Sequence, residues 1–152
     1  MGIYDREYYR DETSGSGWFS GMAPMTRLFI LINIGVFLVQ FLMPTLGVTE
    51  FFAARSVDIF EKFQVWELVT YAFLHDPSNL WHIVFNMLFL YFVGREVEPI
   101  YGHREFAWFY LGGAVVSGLV WSLIDYFGPS PTHGPLLGAS GAVAAVLMVF
   151  VL

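Results

Sequence analysis

The chain has 152 residues, of which 57% are hydrophobic and 13% charged, with a formal net charge of −6. Soluble domains carry about 25% charged residues, so half that share at a mean hydropathy of +0.60 points to lipid as the solvent. The acidic balance argues against a nucleic-acid partner, which requires a basic patch, and the lack of cysteine excludes disulfides, thiolate metal sites and a cysteine nucleophile.

Residues 1–27 read as a tail. They are mixed, aromatic and mostly acidic (Tyr4, Asp5, Glu7, Tyr8, Tyr9, Asp11, Glu12), with a flexible joint at Ser14-Gly15-Ser16-Gly17. A secretory signal opens with a basic region followed closely by an apolar one, and the tail lacks that order. A membrane domain is expected over 28–152. A helix needs roughly 20 apolar residues to cross a bilayer core. Residues 28–46 fit a first span, 80–94 a shorter and more polar second, and 106–124 a third. Residues 138–152 begin a fourth that reaches only about 22 Å, short of the bilayer core, so the natural chain is expected to continue past Leu152.

Lysine and arginine placement sets the orientation. Arg6, Arg10 and Arg27 precede the first span and Arg95 and Arg104 follow the second, whereas residues 47–79 hold only Arg55 and Lys62. The N-terminus and the Arg95/Arg104 loop are therefore expected in the cytoplasm, a topology that suits a bacterial plasma membrane. Residues 47–79 mix Phe51, Phe52, Phe60, Phe63, Trp66, Tyr71 and Phe73 with charges, and read as short helices lying in the outer interface. The alternative is a packed extramembrane subdomain.

Polar groups inside a span are costly and mark function. His82 and Asn86 stand four residues apart, on one face of the second span and below the outer surface. The fourth span opens with Gly138-Ala139-Ser140-Gly141-Ala142, and the third offers small residues at Gly113/Ser117 and Ala114/Gly118. Helix packing alone accounts for the glycines, and hydrogen bonding between helices accounts for His82 or Asn86 singly. Jointly, the topology puts a hydroxyl, an imidazole and an amide at one depth. That set suits acyl transfer, with a nucleophile beside donors for an oxyanion.

Gly138-Ala139-Ser140-Gly141 resembles the GxSG nucleophile motif of rhomboid proteases. His82-Ile83-Val84-Phe85-Asn86 resembles the HxxxN motif on the family's second span, and Trp66 to His75 (WELVTYAFLH) the segment leading into it. Glu98 and Gly102 resemble the glutamate and glycine at that span's cytoplasmic end. The resemblance runs from Trp66 to the last residue. It implies an all-α polytopic bundle with six spans in the complete protein, the fourth truncated here. It also implies Ser140 as nucleophile, and His82 and Asn86 with a backbone N–H as oxyanion donors. The substrates would be transmembrane proteins cut near the outer face, with no metal and no cofactor.

The family's base is a histidine on a later span that these residues do not include, so the 152 residues alone are expected to show negligible proteolysis. From residues alone a His82–Ser140 dyad is the natural pairing; the resemblance assigns His82 to the oxyanion instead. His103 falls at the cytoplasmic end of the second span, and His75 and His133 read as interface or loop residues. Trp66-Glu67 replaces the family's frequent Trp-Arg, reversing a charge expected at the interface, and Ala144 replaces an aromatic. Gly94 reads as a close-packing point or a helix end, and Glu98 as a structural partner of a base such as Arg95. The competing reading is a rhomboid-like pseudoprotease that binds membrane proteins without cutting them; the presence of Ser140, His82 and Asn86 favours the enzyme. A transporter or channel would need ionisable groups recurring through the other spans, which are lacking.

Overall fold

Thr26, Asn33 and Gln40 follow one another at two-turn intervals, on one face of a helix that is otherwise apolar. All three are buried, while Leu28, Leu31, Leu38 and Phe41 on the opposite side are exposed. Polar groups inside and apolar groups outside is the pattern demanded when hydrocarbon surrounds a bundle, because the polar groups must find partners within it. The computed structural model describes residues 21–132 and 134–151, so most of the expected cytoplasmic tail, His133 and Leu152 lie outside the described residues. Every regular element among the described residues is helical.

The first helix, α1, runs Pro24–Leu42. Its start and stop are set by prolines rather than by hydropathy. Pro24 occupies the first turn, where a missing N–H costs nothing. Pro44 keeps the residue before it out of the helical region, so residues 44–46 form a separate 3-10 turn. The helix is thus displaced toward the N-terminus from the apolar run at 28–46. Three short helices follow, α2 (Val48–Phe52), α3 (Ser56–Glu61) and α4 (Glu67–Thr70), with a 3-10 turn at Tyr71–Phe73. Then come α5 (Leu80–Tyr101), α6 (His103–Phe127) and α7 (Ser140–Val151). Gly102, at φ +93°, joins α5 directly to α6 in a hairpin.

By length and apolar composition α1 and α6 can each cross a membrane. Helix α5 is longer than the 80–94 run expected for it, because it carries its charged last turns, with Arg95, Glu96 and Glu98, on to Tyr101. The helices approach closely where side chains are small. A Cβ on Gly113 would overlap Ala145 of α7, and one on Gly141 would lie 2.6 Å from Ser117 Cβ of α6. Gly118, expected to face α7, packs instead on the Tyr71 ring. Phe29 of α1 stacks on Tyr110 of α6 with centroids 4.4 Å apart.

Gly94 is the contact point between α5 and α1. A Cβ there would overlap the Thr26 side chain, which the Glu98 carboxylate holds in place through a hydrogen bond of 2.7 Å. Gly94→Ala is therefore expected to lower stability by about 1–3 kcal/mol, the usual range for overpacking. Reversible unfolding in mixed micelles would measure it, and an unchanged midpoint would contradict this packing.

The segment 47–79 has a packed side and an exposed side. Its inner side packs on α6, through Ser56 Oγ donating to Asp125 Oδ2 (2.6 Å) and Phe60 against Tyr126 (5.1 Å). Its outer side leaves Phe51, Phe63, Val65 and Trp66 exposed. Glu67 corrects the expectation of a reversed charge at the interface. It turns inward, fully buried, where Oε2 accepts the Arg55 backbone N–H (2.9 Å). Burial raises its pKa, helped by the Asp58 charge and opposed by that hydrogen bond and Arg55.

Candidate active site

The chain enters α7 along a path fixed by backbone hydrogen bonds. Ala54 and Leu136 exchange N–H···O bonds of 3.1 and 2.8 Å, a single antiparallel bridge between the segment 47–79 and the loop before α7. Two residues on, the Gly138 N–H donates to the Tyr71 carbonyl (3.0 Å). Tyr71 is itself locked, its hydroxyl donating to the Ala114 carbonyl of α6 (2.9 Å). Gly138 has φ +121°, a conformation open to glycine and strained for other residues. Ala139 is buried, and Ser140 opens the helix with an exposed position.

Opposite stands the N-terminal half of α5. Ser140, His82 and Asn86 line one open cleft of about 470 Å³, together with Asn79, Trp81, Phe85 and Phe89. The His82 ring lies against the Gly138 backbone, its Nε2 2.6 Å from where a Cβ of residue 138 would sit. Asn86 is nearly buried and donates one amide N–H to the His82 carbonyl (2.8 Å). That bond fixes the amide and leaves its second N–H for another acceptor. The three residues singled out from the sequence thus share a single cleft. Chemically, the cleft offers a hydroxyl at a helix start beside two side chains able to donate to a developing negative charge.

The other described histidines are placed elsewhere. His103 Nδ1 pairs with Glu98 Oε1 (2.6 Å) at the far end of α5. His75, read from the sequence as an interface or loop residue, is fully buried and stands edge-on to His82, with ring centroids 5.1 Å apart. Glu98 finds Thr26, the Met25 N–H and His103 as partners rather than Arg95. The nearest sequence signal for His75 was its place at the end of the WELVTYAFLH segment.

A family model for the rhomboid domain matches residues 62–152, more than half of the chain. The chain belongs to the rhomboid family. Among its relatives, RHOMBOID-like protein 12, mitochondrial, of Arabidopsis thaliana is 30% identical, over 87% of this chain and 43% of its own length. Rhomboid protease GlpG of Klebsiella pneumoniae is 30% identical over 84% of this chain and 42% of its own length. Rhomboid protease GluP of Bacillus subtilis is 30% identical over 91% and 27% respectively. The chain therefore spans less than half the length of these relatives. Rhomboid membership and the apolar helices together make it an integral membrane protein.

Proposed function

We propose that this rhomboid chain carries the nucleophile and oxyanion half of an intramembrane serine endopeptidase, which cuts transmembrane proteins near the outer membrane face. The observation that carries this reading is the joint placement of Ser140, His82 and Asn86 on one cleft between α5 and α7. Ser140 Oγ attacks the scissile carbonyl carbon and its proton passes to a general base. The carbonyl oxygen, now negative, is met by N–H groups of His82, Asn86 and the backbone near Ser140. The base is a histidine supplied from beyond these residues, so the 152 residues alone cleave negligibly. Substrate helices reach the cleft from the bilayer, past the exposed Trp81, Phe85 and Phe89 on α5. The arginine placement orients the N-terminus to the cytoplasm, as in a bacterial plasma membrane. Relatives named rhomboid protease support the reading.

A fluorophosphonate probe tests it. In a chain completed by the base histidine, the expected product is a phosphonyl adduct on Ser140, located by mass spectrometry of membranes treated with the probe. A folded, complete chain whose Ser140 stays unlabelled while carrying that histidine would favour the pseudoprotease.

A further inference from the structure

Among the described histidines only His75 is fully buried. Its backbone N–H donates to Gln40 Oε1 (3.0 Å), and Gln40 in turn donates to Thr49 Oγ1 (2.9 Å), so the residue is tied to the end of α1. The ring is different. By hydrogen-bond distance and angle neither of its nitrogens has a partner within the protein, and the Phe73 backbone stands near enough only to oppose slightly the lowering of its pKa. A neutral imidazole carries one donor and one acceptor, and leaving both unmade in the interior is costly. Burial, aided by the neighbouring His82, lowers the His75 pKa to about 4, so the ring is neutral at physiological pH.

What stands against that ring is His82, at 5.1 Å between centroids and 64° between planes. The His82 ring also lies against Gly138, just before the start of α7. Contacts therefore run from Gln40 to the His75 backbone, from the His75 ring to His82, and His82 lines the cleft with Ser140. A neutral His82 donates from one nitrogen only. Unless its other nitrogen is paired, both tautomers are accessible, and only one of them directs N–H into the cleft.

We propose that His75 is a positioning residue for His82: one ordered water pairs with both imidazoles and holds His82 in the tautomer that donates toward Ser140. Water is the ordinary partner of buried polar groups that lack a protein one, and it bridges groups too far apart for direct contact. His75 touches no reacting atom; it acts through His82. Asp76, partly exposed, is the charged group whose field reaches His82. The inference rests on the assignment of His82 as an oxyanion donor.

The test is nitrogen NMR on the chain labelled with 15N-histidine in detergent micelles, where long-range nitrogen–proton correlations report each ring's tautomer and a His82→Ala sample assigns the signals. One tautomer of His82 is expected in the wild type and in His75→Gln, which keeps a donor and an acceptor. Both tautomers are expected in His75→Phe, which keeps neither. A folded His75→Phe chain with His82 still in one tautomer overturns the proposal. If the phenylalanine variant does not fold, the wild type decides: magnetisation from one bound water must reach ring protons of both His75 and His82, and its absence at either ring overturns the proposal. Coupled rings in a completed protease that cleaves normally without His82 would instead sink the oxyanion assignment and leave the coupling standing.

Discussion

Gly138→Ala is expected to lower kcat of a completed chain by about 10²–10³-fold, with little change in KM. Two effects act on the same atom. At φ +121° an alanine is strained wherever it is placed, and its Cβ would sit 2.6 Å from His82 Nε2 and 2.9 Å from Cε1. Contacts under 3.0 Å do not survive, so something has to move. If the backbone relaxes, Ser140 is displaced two residues downstream, and a misplacement of about 1 Å at a reacting group can cost 10²-fold. If the ring yields instead, an oxyanion donor is lost, which costs about 10²–10³ in kcat. Both routes converge on the chemical step rather than on substrate docking. Steady-state cleavage of a transmembrane substrate would measure the change, and an unfolding curve on the same variant would separate it from misfolding. A folded variant within a few-fold of the wild-type rate would show that this glycine does not shape the site.

That close approach also shows which parts of the site could be read from the sequence. His82 and Asn86 were legible because a four-residue spacing on a helix fixes their common face whatever the rest of the chain does. Ser140 was legible only jointly with His82 and Asn86 and through its resemblance to the GxSG motif, because the small residues around it are accounted for by helix packing alone. The inner side of the cleft was not. His75 meets His82 only because the chain turns back between α4 and α5, and no window of local sequence contains that turn's direction. Glu67 was read as an interfacial charge, because it stands where the family often has an arginine; its partner is the backbone N–H of Arg55, on the other side of α3. Hydropathy also gave the wrong helix ends. It measures how far apolar residues extend, whereas Pro24 and Pro44 bound α1, and α5 runs through its charged turns to Gly102.

The carboxylate at position 98 carries the largest expected effect on stability: Glu98→Ala should lower it by about 3–5 kcal/mol, because each buried donor left unsatisfied costs roughly 1–3 kcal/mol. Glu98 is fully buried. It accepts from the Met25 N–H (2.8 Å), the Thr26 N–H (2.7 Å) and the Thr26 hydroxyl (2.7 Å), and pairs with His103 Nδ1 (2.6 Å). Two of those donors are N–H groups of the first turn of α1, which has no side-chain cap of its own. Helix α5 thus caps α1 with a remote negative charge, at the end of the helix dipole that favours one. Alanine would strand the three α1 donors, while the largely exposed His103 turns to solvent. Glu98→Gln keeps one strong acceptor and should cost about half as much, since hydrogen bonds to charged groups are roughly twice as strong as neutral ones. His103→Ala should cost under about 1 kcal/mol, because that side chain is largely exposed. Position 98 is sixteen residues from His82 along α5, about 24 Å of helix. In a completed chain, the folded fraction of Glu98→Ala should therefore keep its kcat while its unfolding midpoint falls. Equal losses in kcat and stability would place Glu98 in communication with the cleft, and an unchanged midpoint would contradict the capping role.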